Sequence, residues 1–418
     1  MRAVLRTYFP PLPRAVTTLQ VGGLVNAFGN GITLPFLFIY LHNVRGVGLG
    51  VVGLIVGTHA LVGIVAGGFF GVLVDRFGGR RMLATALGIL TVGYALYPLV
   101  HEAWQGFLVA AITGVGVGGF WPSQSTLIAG LTTPAQRAPA FAMQRMVMNV
   151  GIGLGALTGG LIASTESPGS FTVLFLLNSL TFVVYAAVML AFVPALDLGG
   201  RSRSHAEQPG SYRDVLRHRA FVAVIALNAL FITAGFSGFE LLPVYAKNEA
   251  GVSESQIGLV FLLNTLVVVL LQLPMVRLVQ GRRRMPALGL LGLMWAAAWV
   301  VVPIAGSQTA TAAVFVLVGA MTLFAVGECL HGAVHAPLVS DLAPPRLLGR
   351  YMALSALSWQ VGFALGPAVG GFVLAYSPSA VWLGAAALCA VGGLLAFLVE
   401  TTLPDRARRT PAPAPASA

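Results

Sequence analysis

The chain has 418 residues, of which 57% are hydrophobic and only 9% charged, and its formal net charge is +11. Soluble globular domains carry about 25% charged residues, so this composition excludes that class. The basic residues lie in short segments between apolar runs. That distribution orients a chain in a membrane, and it offers no continuous basic face to nucleic acid.

Twelve apolar runs follow one another along the chain, each long enough to cross roughly 30 Å of hydrocarbon. The first six, called spans 1 to 6, are predicted at residues 16–41, 51–74, 82–100, 106–129, 141–164 and 171–193. The other six, spans 7 to 12, are predicted at 220–245, 255–276, 285–304, 309–339, 352–376 and 380–399. The sequence therefore predicts an all-α membrane protein with twelve transmembrane helices.

The twelve spans divide into two halves that repeat each other. A shift of 211 residues, from Gly151 to Gly362, also places Gly155 on Gly366. Internal repeats of this kind are common in secondary transporters. We therefore predict two pseudo-symmetric six-helix bundles, at residues 1–193 and 220–400. A polar cytoplasmic linker at 194–219 joins them, and a Pro- and Ala-rich tail at 401–418 is predicted to be disordered.

Basic residues are distributed unequally between alternate segments. If both termini are cytoplasmic, the cytoplasmic segments hold all but three of the 24 Lys and Arg residues. The exceptions are Arg45 and Lys247 in outer loops and Arg145 inside span 5. Because basic loops resist translocation, the sequence predicts a multi-pass protein of the inner (plasma) membrane with both termini in the cytoplasm.

A charged turn between spans 2 and 3 stands out from the apolar runs on either side. Its glycines permit close backbone approach or a positive φ, and its acid is an acceptor beside three cations. The residues concerned are Gly71, Asp75, Arg76, Gly78, Arg80 and Arg81. We expect Asp75 to pair with a helix end of the other half on the cytoplasmic side and so to act in gating.

Two glycine-rich segments occupy equivalent places in spans 5 and 11. Glycines four residues apart form a flat helix face on which a neighbouring backbone can lie closely. We therefore predict these residues to be helix-packing positions: Gly151, Gly155, Gly159 and Gly160 in span 5, and Gly362, Gly366, Pro367, Gly370 and Gly371 in span 11.

These two motifs carry a resemblance to a known family. The charged turn resembles the loop 2–3 signature G-x-L-x-D-R-x-G-R-R of the major facilitator superfamily, with Gly79 as an extra residue. The span 11 segment resembles the signature G-x-x-x-G-P-x-x-G-G of its drug:proton antiporters, which those proteins carry in span 5. Here span 5 has Ala156 at the proline position. The resemblance implies a central cavity lined by spans 1, 4, 7 and 10.

Placing an ionisable side chain inside a span costs free energy, so such side chains are candidates for function. Glu328, His331 and His335 form one stripe on span 10 because three and four residues separate them. With Glu240 of span 7 they are the proton-coupling candidates. Alternatives stay open: a structural hydrogen bond for Glu328, the outer interface for Glu240 and a solvated helix end for His335. One stripe rarely completes a metal shell, so we predict no metal site.

Four further residues are cavity candidates under the same resemblance. Asn26 and Asn30 lie one helical turn apart in span 1, where some members of the family carry a carboxylate. Trp121 of span 4 could line an aromatic wall. Arg145 either extends to water with its charged end or pairs with a carboxylate or anionic substrate.

The resemblance implies a secondary active transporter that exports small hydrophobic or amphipathic compounds against proton entry, by alternating access. The sequence has no phosphate-binding loop and no nucleophile–base constellation, so we predict neither enzyme activity nor a cofactor. The expected partners are a small-molecule substrate, protons and the lipid bilayer, for a monomer. Two alternatives are a carrier of the same fold for a specific metabolite and a non-transporting membrane sensor or scaffold.

Overall fold

The computed structural model describes residues 12–194, 212–344 and 347–410, and these contain twelve helices long and apolar enough to cross a membrane. Spans 1 to 6 run Arg14–Val44, Leu49–Phe77, Gly79–Leu99, Ala103–Leu131, Pro139–Ile162 and Gly169–Phe192. Spans 7 to 12 run Arg219–Asn248, Glu254–Val279, Arg284–Ala305, Ala310–Leu342, Leu348–Tyr376 and Pro378–Thr402. The predicted all-α class with twelve spans is confirmed.

Local sequence signals explain where several helices begin. Span 4 starts after Glu102, which forms a capping box with Gln105. Span 12 starts with Pro378, and the hydroxyl of Ser377 accepts from the N–H of Ala380. Each arrangement supplies a partner for backbone N–H groups that a helix leaves unpaired at its first turn.

Spans 1 and 7 each depart from regular α-helix. Span 1 tightens into a 3-10 turn at Leu34–Phe36, where Pro35 interrupts the hydrogen bonding, and widens into a π-helix at Tyr40–Val44. Span 7 contains a π-helical turn at Ile232–Phe236. Such turns inside α-helices often lie near functional sites.

Contacts divide the chain into two compact units. The first contains the described residues up to 194 together with Ser253–Leu262, and the second contains 212–252 and 263–410. The first turns of span 8 therefore group with the first unit, whereas the predicted boundary lay between residues 193 and 220. Two-thirds of the predicted linker, residues 195–211, lies outside the described residues.

The same helix pairings recur in both units. In the first unit span 1 packs on spans 5 and 6, and span 3 packs on spans 4 and 6. In the second unit span 7 packs on spans 11 and 12, and span 9 packs on spans 10 and 12. The pairings match the sequence repeat, and the largest buried side chains of the second unit include Trp295, Trp299 and Trp382.

The described part of the C-terminal segment is ordered, which differs from the predicted disordered tail. A short helix forms at Asp405–Arg408, and the N–H of Thr410 donates to the carbonyl of Arg282 over 3.0 Å. Arg284 also donates to the carbonyl of Ala407 over 3.2 Å. The loop before span 9 and the first residue of that span thus supply the hydrogen bonds that hold this segment. Residues 411–418 lie outside the described residues.

Candidate functional site

The span 10 stripe is the most enclosed group of ionisable side chains that the sequence singled out. His331 and His335 are buried, with exposed fractions of 3% and 4%, and Glu328 is half-buried one turn earlier. His335 is therefore inside the second unit and is not a solvated helix-end residue. The stripe brings two imidazoles and one carboxyl group onto one face of one helix.

A chain of hydrogen bonds connects His331 to two other spans. Nε2 of His331 lies 2.7 Å from Oδ1 of Asn228 in span 7. Nδ2 of Asn228 donates to Oγ of Ser358 in span 11 over 2.7 Å, and Ser358 in turn donates to the carbonyl of Ser355 over 2.6 Å. Each of these four side chains is buried, so the chain is shielded from water.

The second histidine belongs to the same cluster. Nε2 of His335 lies 3.0 Å from Oγ of Ser355. The rings of His331 and His335 stack with centroids 5.0 Å apart and planes inclined by 15°. At this separation two positive charges would repel each other strongly in a medium of low dielectric.

Aromatic rings surround the histidine pair. The ring of His331 lies 5.2 Å from Trp359 in an edge arrangement and 6.2 Å from Trp295 in a stacked one. Trp295 stacks on Phe324 at 4.8 Å and donates its indole N–H to the Phe324 carbonyl over 2.9 Å. These contacts fix the orientation of the rings and exclude water from the polar cluster.

Glu240 occupies a different environment on span 7. Its side chain is half-buried, and Oε2 is enclosed without a hydrogen-bond partner among the described residues. An enclosed carboxyl oxygen without a partner is costly when charged and often marks a functional group. Glu240 therefore remains a second candidate for proton binding.

The cavity candidates of the first unit differ in how deeply their side chains are buried. Asn26 is buried and its Nδ2 has no partner among the described residues, whereas Asn30 is half-buried. Trp121 is exposed and meets Phe120 edge to face at 5.2 Å. Arg145 is exposed and forms no ion pair within the described ranges. Among the described residues, therefore, no carboxylate lies within ion-pair distance of Arg145.

Two groups of buried amides were not among the residues predicted from the sequence. One is Asn228 of span 7, and an Asn within an apolar run is itself a signal for a contact between helices. In the first unit Gln124 donates to Tyr185 over 2.8 Å and accepts from Gln144, and Gln20 donates to the carbonyl of Ala140 over 3.1 Å. These bonds tie spans 1, 4, 5 and 6 together.

The charged turn is shorter than the sequence suggested. Span 2 continues to Phe77, and span 3 begins at Gly79, so the connection is the single residue Gly78 with a φ of +85°. Asp75 is exposed and makes no hydrogen bond or ion pair with a described residue. The guanidinium of Arg80 donates to the carbonyl of Leu190 and so ties the turn to the end of span 6.

The other residues of the turn lie at its surface or against span 4. Arg76 lies over the ring of Phe77 at 5.2 Å, and Arg81 is exposed. A Cβ added at Gly71 would meet open space, whereas one added at Gly79 would lie 3.0 Å from the carbonyl of Ser123. Only part of the predicted gating turn is therefore packed against its own unit.

The span 5 glycines lie against backbone. A Cβ added at Gly151 would lie 2.9 Å from the carbonyl of Leu24, and one at Gly159 would lie 2.5 Å from that of Ile32. A Cβ at Gly155 would overlap the carbonyl of Phe28. On the adjoining face a Cβ at Gly160 would lie 2.5 Å from the carbonyl of Glu254. Spans 1 and 5 can approach this closely because no side chain separates them.

The span 11 glycines face the irregular part of span 7. A Cβ added at Gly362 would lie 2.5 Å from Cγ2 of Ile232, at the start of the π-helical turn, and one at Gly370 would contact Leu241. The remaining members of the segment are buried in the same helix: Gly366, Pro367 and Gly371. Across the described residues no group of three or more His, Cys, Asp or Glu could hold a metal ion.

Known proteins match the chain over most of its length. It is 27% identical over 364 residues to an uncharacterised MFS-type transporter, YqjV of Bacillus subtilis, covering 85% of each chain. It is 26% identical over 386 residues to the multidrug resistance protein MdtH of Cronobacter sakazakii, covering 91% of this chain and 92% of the relative.

Solved transporter structures share the fold at low sequence identity. A crystal structure of the peptide transporter POT in complex with sulfate superposes with a TM-score of 0.73, 17% identity and 95% coverage of both chains. The human organic anion transporter MFSD10 superposes with a TM-score of 0.67 and 18% identity, covering 93% of this chain and all of that one.

The family comparison extends over both halves. The sequence model of the Major Facilitator Superfamily matches twice, at residues 19–249 and again at 241–418. Together with the twelve apolar helices and the repeated pairing of spans, these matches identify the protein as a membrane transporter rather than an enzyme. The chain belongs to the Major Facilitator Superfamily.

Proposed function

We propose that this transporter exports small hydrophobic or amphipathic compounds in exchange for protons, as a monomer in the inner membrane with both termini in the cytoplasm. The observation that carries the coupling is the buried histidine pair beside half-buried Glu328 on one span. Groups that change protonation inside a membrane protein are the means by which proton entry can be linked to a conformational cycle.

The environment of the pair supports this role. His331 and His335 are hydrogen-bonded to spans 7 and 11, so a proton on either ring places a charge where three helices of the second unit meet. A proton on either ring adds a charge and a donor within a low-dielectric cluster. Such a change can shift a two-state equilibrium by the free energy of the contacts that differ between the states.

The names of relatives support the class of substrate. MdtH is named as a multidrug resistance protein, and the chain matches it over nine-tenths of its length. Exposed Trp121 in the first unit and half-buried Trp359 in the second offer aromatic surfaces, which suit hydrophobic or amphipathic compounds. The potential across the membrane adds roughly 2.3 kcal/mol per charge at 100 mV, which would drive such exchange.

The charged turn between spans 2 and 3 belongs to the same proposal as a gating element. Asp75 is exposed and makes no hydrogen bond or ion pair in the described chain, so its replacement should leave the fold intact. Asp75→Asn is expected to shift the population towards the inward-facing state. Spin-label distances between a site in each unit measure the shift, and unchanged distances would remove Asp75 from the gating mechanism.

The function is tested with purified protein in proteoliposomes carrying an imposed pH gradient. A panel of lipophilic cations, neutral aromatics, organic anions and small peptides should show uphill movement only of the hydrophobic or amphipathic members. A proton ionophore should abolish that movement. Uphill movement of one polar metabolite alone would favour the metabolite carrier, and no movement under any gradient would favour the sensor or scaffold.

A further inference from the structure

The hydrogen bonds around Asn228 have a fixed direction. The hydroxyl of Ser358 has one proton, and it donates that proton to the carbonyl of Ser355 over 2.6 Å. Its remaining capacity is to accept, and the group 2.7 Å away on Asn228 must therefore be the donor Nδ2. A flipped amide would place two oxygens together without a proton between them, so the direction of the chain decides the amide orientation.

The orientation of the amide decides the tautomer of His331. With Nδ2 committed to Ser358, Asn228 presents Oδ1 to the imidazole at 2.7 Å from Nε2. A carbonyl oxygen only accepts, so Nε2 of His331 must carry a proton. In a neutral ring the other nitrogen, Nδ1, then has the lone pair.

We propose that Asn228 is a positioning residue that holds His331 as the Nε2–H tautomer, which makes Nδ1 the nitrogen that gains and loses the transported proton. The assignment presupposes the proton coupling proposed above, since it names the atom on which that coupling acts. Proton uptake at Nδ1 leaves the bond to Asn228 in place, because Nε2–H donates in both the neutral and the charged ring. The connection to span 7 is thus preserved while the charge of the ring changes.

Residues from three other spans of the second unit surround the ring of His331. The helices packed against His331 bring Asn228, Trp295 and Trp359 to the ring. Lys247, in the last turn of span 7, lies nineteen positions beyond Asn228. The other basic residues of those helices lie in their first turns, nine to eleven positions away, or about 13 to 17 Å at 1.5 Å per residue. They are Arg219, Arg284 and Arg350. The acid of span 7, Glu240, lies twelve positions beyond Asn228. The other titratable groups near His331 on span 10 itself are Glu328, Cys329 and His335.

The experiment measures the tautomer of the His331 ring directly. Full-length protein with labelled histidine is placed in lipid bilayers, and the 15N and 13C resonances of His331 are assigned among the seven histidines by comparison with His331→Gln. At a pH where the ring is neutral, the expected signature is the Nε2–H tautomer alone. An Nδ1–H tautomer in the unaltered protein would overturn the proposal.

Variants separate positioning from general packing. Asn228→Leu removes the acceptor and should bring in the Nδ1–H tautomer, whereas Asn228→Asp keeps an oxygen acceptor and should retain Nε2–H. Asn264→Leu is the matched control, because Asn264 is an equally buried amide that donates to the Met321 carbonyl over 3.1 Å. It should leave the His331 signature unchanged.

Ser358→Ala keeps the proposal testable if Asn228→Leu does not fold. Without the acceptor on Ser358 the Asn228 amide can rotate, so both tautomers of His331 should be observed. An unaltered tautomer in folded Asn228→Leu or in Ser358→Ala would overturn the positioning role. If the unaltered protein shows the Nε2–H ring but no pH gradient drives transport, the proton coupling fails while the tautomer assignment stands.

Discussion

The guanidinium of Arg284 donates to the carboxylate of Asp341 from a position that is fully buried, while the Asp341 side chain is 43% exposed. Arg284 begins span 9, and Asp341 lies in the last turn of span 10. The charge is stabilised by Asp341 and by the carbonyl of Ala407, so a buried arginine joins two spans to the C-terminal segment.

Removing the carboxylate should therefore destabilise the second unit. Asp341→Asn leaves a buried guanidinium without its counter-ion, and breaking such a pair costs about 3 kcal/mol. The matched control is Asp405→Asn, since Asp405 forms an exposed pair with Arg408 at 3.0 Å and such pairs contribute less than about 1 kcal/mol. Thermal unfolding in detergent should show a lower midpoint for Asp341→Asn only, and equal midpoints would contradict this reading.

Gly155 should not tolerate a side chain. Its added Cβ would overlap the carbonyl of Phe28 and lie 2.9 Å from Cα of Gly31, and neither backbone group can rotate away. Overpacking typically costs about 1–3 kcal/mol, so Gly155→Ala is expected to lower stability and folded yield. Gly68→Ala is the control, since Gly68 of span 2 has open space and alanine favours helix by about 1 kcal/mol.

Glu328 is expected to be the principal coupling carboxyl group. Glu328→Gln keeps the size and the hydrogen-bonding ability of the side chain but cannot bind or release a proton. We expect it to abolish transport driven by a pH gradient and to retain substrate binding and downhill exchange in proteoliposomes. If Glu328→Gln still transports uphill, the proton is carried without this carboxyl group, and His331→Gln and Glu240→Gln become the decisive variants. Oε2 of Glu240 is enclosed without a partner in the described chain.

The orientation of the chain can be measured with single cysteines. Tyr212→Cys, in the segment before span 7, should react with a membrane-impermeant reagent only after the cells are permeabilised. Glu166→Cys, in the exposed connection between spans 5 and 6, should react in intact cells. The natural Cys329 and Cys389 are buried and give a low background. Reaction of Tyr212→Cys from outside would invert the proposed orientation.

His218 should make stability depend on pH. Partial burial, and then the positive charge of Arg406, lower the pKa of His218, whose Nδ1 lies 2.7 Å from the hydroxyl of Tyr351. Near pH 6.5 the unfolded chain then binds a proton at this histidine more readily than the folded chain does, so stability falls as the pH drops through that value. His218→Gln should reduce the loss of thermal midpoint between about pH 7.5 and pH 5.5. If His218→Gln loses as much of its thermal midpoint as the unaltered protein, other titratable side chains cause the loss.

Much of the fold follows from hydrophobic length alone. A run of about 20 apolar residues must cross the bilayer as a helix, because hydrocarbon offers no partner for backbone polar groups. For that reason twelve spans and the repeat from Gly151 to Gly362 could be predicted without tertiary information. The charged turn and the glycine segments also indicated the family, since their residue types and spacing are specific.

Only the tertiary structure decided which polar groups meet. The histidines of span 10 are evident in the sequence, but Asn228, Ser355 and Ser358 belong to other spans. Their local pattern does not specify which polar side chains they will bond. Order in residues 403–410 likewise depends on Arg284, more than a hundred residues earlier. Apolar burial is set by composition along the chain, whereas hydrogen-bond partners are set by which helices pack together.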